Sequence, residues 1–310
     1  MTTRRPSRLR RSELSTPGSS PKMITKAAAS DADLVFLDLE DAVAPDEKAA
    51  ARGTIVTGLN DLDWGSSTRA CRVNSVQTTW CHDDVIEVVT GAGANLDIII
   101  VPKVKGPRDV WFVDDLLTQL EGKLGLEPGR IGLEVLIEEA EALARVEEIA
   151  ACSPRLEALI LGVGDLAASQ GIRAGHIGGG AALGYAYPGD LWHYARNRMI
   201  VAARAHGLDA IDGPFASIGD LEGYGREAKW SAALGAAGKW AIHPSQIAVA
   251  NEVYAPTKDE IGVATMVVDA ARQAEVAGAG AASIGGMMID AATTRIFQGV
   301  LDHAQRCGVL

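Results

Sequence analysis

Eight short apolar runs bounded by turn residues recur along the chain at intervals suited to strand–helix units, over residues 13–16, 34–39, 69–73, 97–101, 131–137, 156–161, 208–211 and 239–242. Segments with helical spacing follow them, over 21–30, 46–60, 81–90, 107–124, 138–151, 190–205, 217–234 and 245–254. Eight parallel strands with covering helices predict α/β architecture of the closed (β/α)8 TIM-barrel type; a doubly wound open sheet is the alternative that the same alternation permits. Composition favours parallel strands over a sandwich: aromatics are only 5%, glycines number 34, and Ala, Val and Ile are abundant. Pro107 falls where a first-turn proline costs no hydrogen bond, and Ser217, ahead of Asp220 and Glu222, reads as an N-cap.

After Tyr254 the alternation stops. Ala255, Pro256 and Thr257 form a break, followed by a helix over 259–277, a small-residue linker over 278–286 and a last helix over 290–307. The expected division is therefore a barrel over 1–255 and a C-terminal helical extension over 256–310. Its hinge and amphipathic end suit a lid that caps an active site, its own or a neighbour's.

The chain's 29 basic and 40 acidic residues leave a net charge of −11, which argues against nucleic acid or an anionic membrane as partner. No stretch of eighteen apolar residues occurs, and no apolar run follows Arg4, Arg5, Arg8, Arg10 and Arg11. Cys71, Cys81, Cys152 and Cys307 lack zinc or disulfide spacing, which fits a reduced, cytoplasmic setting. Small molecules become the expected partners.

Barrel chemistry belongs at the C-terminal ends of the strands. There the runs end in Asp38, Glu40 and Asp41; Arg72 and Asn74; Pro102 and Lys103; Glu138; Gly162, Gly164 and Asp165; and His243. Carboxylates converging beside one arginine repel unless a cation joins them, and hard oxygens favour magnesium, with manganese as the substitute. Each residue also has a plain structural reading: Glu138 as a helix start, Asp165 as an N-cap, Arg72 as an ion pair and His243 as a turn anchor. Shared placement at strand ends is what raises them together. Gly162-Val163-Gly164 and Gly91-Ala92-Gly93 lack dinucleotide-fingerprint spacing and read as turns, while Gly178-Gly179-Gly180 reads as a loop.

The ordered set of segments 11–18, 37–43, 72–74, 101–103, 137–138, 164–166, 212–215 and 238–246 resembles the citrate lyase beta-subunit-like family. Segments 189–194 and 286–290 narrow the resemblance to its malyl-CoA lyases. The resemblance implies a magnesium-dependent barrel enzyme that splits a carboxylated 3-hydroxyacyl-CoA thioester into a shorter acyl-CoA and a small 2-oxo acid, working as a homotrimer or homohexamer. By matching motifs, Glu138 and Asp165 would hold the metal, and Glu40 and Asp41 would hold its waters. Arg72 would bind the oxo-acid part or the thioester oxygen. Asp290 would enter a neighbouring subunit's site as acid or base. Coenzyme A would meet Ser15, Thr16, Ser20, Lys22, Lys26, Gly164, Ile242 and His243. Ser20 departs from an arginine found in some relatives, and Lys22 would supply that cation. Two other outcomes fit the same residues: a thioesterase, or a non-catalytic CoA-binding subunit of a larger complex.

Overall fold

A computed structural model describes residues 6–173, 177, 189–278, 282–285 and 287–310, and divides the chain into units 1–251 and 252–310. In the first unit, eight parallel strands close in chain order into a barrel: β1 (Ser12–Pro17), β2 (Leu34–Asp38), β3 (Thr68–Arg72), β4 (Ile98–Val101), β5 (Gly132–Ile137), β6 (Leu156–Leu161), β7 (Asp209–Asp212) and β8 (Gly238–Ala241). Closure is made by β1, whose Ser12 and Leu14 pair with Lys239 and Ala241 of β8. The open-sheet alternative is thereby removed. Each strand overlaps its predicted run, because strands covered on both faces read as continuous apolar stretches.

Alternate residues face opposite ways along each strand, and the core divides accordingly. Leu34, Phe36, Ala70, Ile98, Ile100, Ala158, Ile160 and Trp240 fill the barrel interior. Val35, Leu37, Cys71, Ile99, Val101, Leu133, Val135 and Leu159 pack outward against the helices. Each fully buried branched or aromatic side chain contributes about 1.5–3 kcal/mol. The interior's two large rings, Phe36 and Trp240, meet at 4.5 Å between centroids.

The barrel helices are α1 (Pro21–Ala28), α2 (Lys48–Asp61), α3 (Cys81–Ala92), α4 (Pro107–Leu124), α5 (Ala140–Ala144), α6 (Val146–Ala150), α7 (Val163–Ser169), α8 (His193–Ala205), α9 (Leu221–Leu234) and α10 (Ile247–Val253). Three details differ from the sequence reading. Asp220, not Ser217, caps α9 by accepting from the Gly223 N–H at 2.8 Å. The helix expected over 138–151 is broken at Arg145 into α5 and α6. A short helix, α7, follows β6 directly and escaped notice because Gly162 and Gly164 read as turn residues.

Arg10 and Arg11 close the barrel's floor. Arg10 donates to Glu134 at 2.7 Å, to Glu157, and to Asp209 at 3.3 Å, while Arg11 pairs with Asp33 at 2.8 Å. Trp240 Nε1 donates to Glu13 Oε2 at 2.9 Å, but Glu13 Oε1 and Glu134 Oε2 are buried without a hydrogen-bond partner among the described residues. Burial, reinforced by Glu134, holds the Glu13 carboxyl well above the usual carboxylate range.

The second unit contains α11 (Lys258–Val276), an antiparallel ribbon of β9 (Ala282–Ile284) and β10 (Met287–Ile289), and α12 (Ala291–Cys307). The ribbon occupies part of the stretch read as a linker; Gly178-Gly179-Gly180 lies outside the described residues. Thr257 and Glu260 form a reciprocal capping box at the start of α11. In this unit Tyr254, Ala264, Val267, Val268, Ile289 and Ala304 are the buried hydrophobic side chains among the described residues. No helix among the described residues is long and apolar enough to cross a membrane.

Folded Glu13 binds its proton more tightly than the unfolded chain, where a glutamate titrates near pH ~4.3. The native state therefore holds the extra proton above that pH, and stability falls as pH rises toward the folded pKa. Glu13→Gln, which has no charge to acquire, should flatten this loss in melting temperatures measured from pH 5 to 9; parallel curves for the two proteins would refute it.

Candidate active site

The strand-end cluster begins with Asp38, at the last residue of β2 and in register with Arg72 of β3. Its carboxylate accepts from the Glu40 N–H at 2.9 Å and the Ala42 N–H at 3.1 Å, closing a turn that buries Glu40 and leaves Asp41 exposed. The same carboxylate grips Arg72 in a two-point pair, Nε to Oδ1 at 2.7 Å and Nη2 to Oδ2 at 2.6 Å. Burial opposes ionisation of Asp38, but Arg72 and the two N–H groups hold it below the usual carboxylate range. The Arg72 guanidinium also lies 5.4 Å from the Trp240 ring centroid and 5.9 Å from that of Phe36. The interior aromatics are thus the platform of the site's arginine.

Arg72 Nη1 sits 2.8 Å from Glu40 Oε2, yet at an angle that makes no hydrogen bond, so that buried oxygen is without a hydrogen-bond partner among the described residues. Its other oxygen accepts from Lys103 Nζ at 2.7 Å. Burial raises the Glu40 pKa above the carboxylate norm, with Arg72 and Lys103 acting against it.

Glu138 follows β5 and is only 2% exposed. The helix-start reading does not apply to it, since α5 begins two residues later. Glu138 Oε1 accepts from the Lys103 backbone N–H at 2.7 Å. Burial, with Glu40 and Asp165 nearby, pushes the Glu138 carboxyl up to about 8. Gly162 makes room for it: a Cβ there would lie 2.4 Å from both the Cβ and Oε2 of Glu138. The glycines at 162 and 164 therefore serve close packing, as a Cβ on Gly164 would meet Ile177 at 3.1 Å. Asp165 is not an N-cap; it lies in the first turn of α7 with its side chain 43% exposed, at the positive end of the helix dipole.

Asp38, Glu40, Asp41, Glu138 and Asp165 face two cations, Arg72 and Lys103, so the cluster carries an excess of three negative charges when all are ionised. Among the described residues no three His, Cys, Asp or Glu side chains are preassembled as a metal cage. The donor set still fits magnesium, which takes one or two carboxylates and fills its remaining positions with water and substrate oxygens. Hard oxygen donors, the excess charge and the orphaned Glu40 oxygen all ask for such a cation.

The residues expected to meet coenzyme A border β1 and β8, neighbours in the barrel, except Gly164, which follows β6 in α7. Ser15 and Thr16 lie on β1, and Thr16 is buried. Ser20 caps α1 by accepting from the Met23 N–H at 3.4 Å, while Lys22 and Lys26 are exposed one turn apart on that helix. Ile242 donates its N–H to Gln246 Oε1 at 2.8 Å, and His243 Nδ1 accepts from the Ser245 N–H at 3.2 Å. His243 thus performs the turn-anchoring duty. Asp290 belongs to the C-terminal unit, where it caps α12 by accepting from the Thr293 N–H at 2.8 Å. That bond keeps its pKa below the usual carboxylate range.

Two further residues hold the cluster in place: Lys48, which sequence reasoning missed, and Asn74, which it named at the end of β3. Lys48 Nζ donates to the carbonyl oxygens of Leu39 at 2.7 Å and Glu40 at 2.8 Å, and lies 5.1 Å from the Trp80 ring centroid. Asn74 Nδ2 donates to the Leu39 carbonyl at 3.1 Å and to Asp84 at 2.6 Å. Asp38 was visible beside Glu40 and Asp41, but its pairing with Arg72 needs the β2–β3 register. Lys48 carries no signal in an ordinary helical segment.

A parallel barrel whose strand ends gather carboxylates around a clamped arginine has the layout of an enzyme of the (β/α)8 class. The chain belongs to the HpcH/HpaI aldolase/citrate lyase family, whose model matches residues 11–244. It is 41% identical to the L-malyl-CoA/β-methylmalyl-CoA lyase of Rhodobacter capsulatus, over 98% of this chain and 97% of that one. It is 36% identical to the malyl-CoA/β-methylmalyl-CoA/citramalyl-CoA lyase of Chloroflexus aurantiacus, over 89% of this chain and 82% of that one. Among solved structures it is similar to the CitE protein of Mycobacterium tuberculosis in complex with magnesium, acetoacetate and coenzyme A: 28% identity, TM-score 0.74, covering 98% of this chain and 100% of that one.

Gly162→Ala tests the packing of Glu138. The added methyl has no space, so unfolding should require about 1–3 kcal/mol less in urea titrations. An unchanged midpoint would show that Glu138 moves aside freely.

Proposed function

We propose that this protein is a magnesium-dependent carbon–carbon lyase that cleaves malyl-CoA, or its β-methylmalyl and citramalyl analogues, to acetyl-CoA or propionyl-CoA plus glyoxylate or pyruvate. The observation that carries this reading is the full-length likeness to the Rhodobacter capsulatus lyase, on a chain with the strand-end cluster intact. Magnesium on Glu138 and Asp165 would supply Lewis-acid polarisation of the substrate's carboxylate and hydroxyl oxygens. Glu40 and Asp41, beside Lys103, would orient the surrounding waters.

Loss of the substrate's hydroxyl proton turns the C–O bond into a carbonyl and breaks the adjacent C–C bond, whose electrons pass into a thioester enolate. Arg72 would stabilise the negative charge growing on the thioester oxygen; Asp38 holds the guanidinium in place, so little reorganisation is needed. A proton delivered to the enolate carbon completes the acyl-CoA product. Asp290 is the candidate for that transfer, entering from a neighbouring subunit of a homotrimer or homohexamer. Its N-cap bond favours the carboxylate, so it would first take up a proton, including the one that the substrate hydroxyl releases.

Ser15, Thr16, Ile242, His243 and Gly164 would line the thioester arm, and Lys22 and Lys26 would offer cations to the CoA phosphates. Ser20 Oγ accepts at the helix start and keeps its O–H free to donate, but the charge that a CoA phosphate calls for is offered by Lys22. A cytoplasmic setting suits a CoA-dependent enzyme whose cysteines form no disulfide pattern.

Incubation of the pure protein with malyl-CoA and magnesium should release glyoxylate, and Glu138→Gln should lower turnover by about 10²–10³-fold, the scale of losing one electrostatic stabiliser. No carbonyl product from malyl-, β-methylmalyl- or citramalyl-CoA would overturn the reading, and free thiol without glyoxylate would indicate a thioesterase instead. For the oligomer, Glu138→Gln and Asp290→Asn proteins, each inactive alone, should regain part of the activity when unfolded and refolded together. No recovery in verified mixed oligomers would remove Asp290 from the neighbour's site.

A further inference from the structure

Lys103 is the residue of the cluster that the reaction leaves without a task. It follows β4 with φ of 52°, the only non-glycine residue in the left-handed region among those described. That backbone serves two contacts at once. The Lys103 N–H donates to Glu138 Oε1 at 2.7 Å, and the chain then turns so that Nζ reaches Glu40 at 2.7 Å, Asp41 at 3.4 Å and Asp165 at 3.8 Å. One residue therefore touches carboxylates carried by the ends of β2, β5 and β6.

Arg72 cannot serve in its place. Its Nε and Nη2 are committed to Asp38, and its ion pairs in this cluster are with Asp38, Glu40 and Asp41, with none to Asp165. The ammonium thus lies among carboxylates proposed to receive a divalent ion, and two cations of combined charge +3 at that spacing repel strongly.

We propose that Lys103 is a resident counter-ion: its ammonium holds Glu40, Asp41 and Asp165 together in the metal-free protein and withdraws when the divalent cation binds, so that metal entry is an exchange of cations. The inference rests on the reading that Glu138 and Asp165 take the metal. Glu40, Asp41 and Asp165 then keep a neighbouring cation in either state, and the site's affinity for metal is set partly by the ammonium it must displace. The 26% exposure of the Lys103 side chain gives it an open side toward which to withdraw.

Manganese binding to the full-length protein, followed by calorimetry and by loss of the free-ion paramagnetic resonance signal, provides the test. Lys103→Met should bind manganese at least tenfold more tightly than wild type. Its metal-free melting temperature should fall, while its metal-saturated value stays near that of wild type. Equal or weaker binding by Lys103→Met, in a protein where Asp165→Asn still abolishes binding, would overturn the exchange and leave the metal site standing. Binding indifferent to both Glu138→Gln and Asp165→Asn would overturn the metal site and the exchange with it. A second readout uses the unaltered chain: acetylation of Lys103 by acetic anhydride, which transfers an acetyl group to the amine and releases acetate, followed by peptide mass spectrometry, should speed up severalfold on metal saturation. An unchanged rate would overturn the proposal even if Lys103→Met fails to fold.

Discussion

The two-point pair between Asp38 and Arg72 joins the last residues of adjacent strands, and the rest of the site is arranged around it. Asp38 accepts from two backbone N–H groups of the β2–α2 turn, so the contact that orients the arginine also turns Glu40 into the cluster. A buried ion pair is expensive unless its remaining hydrogen-bonding capacity is met. Here Asp38 meets its own through the backbone, while Arg72 has its remaining charge balanced by Glu40 at 2.8 Å and its guanidinium set against two aromatic rings.

Around that pair the electrostatics are graded. Asp38 is held ionised by its partners, whereas burial raises both Glu40 and Glu138, with Asp41 adding to the first and Glu40 and Asp165 to the second. Carboxylates of unequal proton affinity within one small volume give a site that can both hold a cation and manage protons. Conformational cost is concentrated at Lys103, which adopts a left-handed backbone to contact several of the acids.

Much of this was legible in the amino-acid order. Strands such as Ile98–Val101 and Leu156–Leu161 announce themselves because parallel strands inside helices are apolar on both faces. Glu138 and Asp165 could be singled out because a polar residue ending such a run has one place to be. What stayed hidden depends on distant contacts. The requirement for glycine at 162 comes from Glu138, on a neighbouring strand, and the cap at Asp220 prevailed over the equally plausible Ser217. The ribbon of β9 and β10, with three residues per strand, is too short to show periodicity. The floor salt bridges turned Arg10 and Arg11, which read only as charge, into a structural plug.

Trp240 links the two ends of the barrel. Its indole N–H engages Glu13 on the floor, while its ring faces Phe36 and the guanidinium of Arg72. In a chain with so few aromatic residues, this one side chain works as a tie-rod between a foundation and a working surface. The barrel interior consequently has little slack, and remodelling it to admit a bulkier acyl group would disturb anchorage and arginine together. Changes of substrate size have a freer route through the loops above the strands, which can lengthen or shorten without touching that rod.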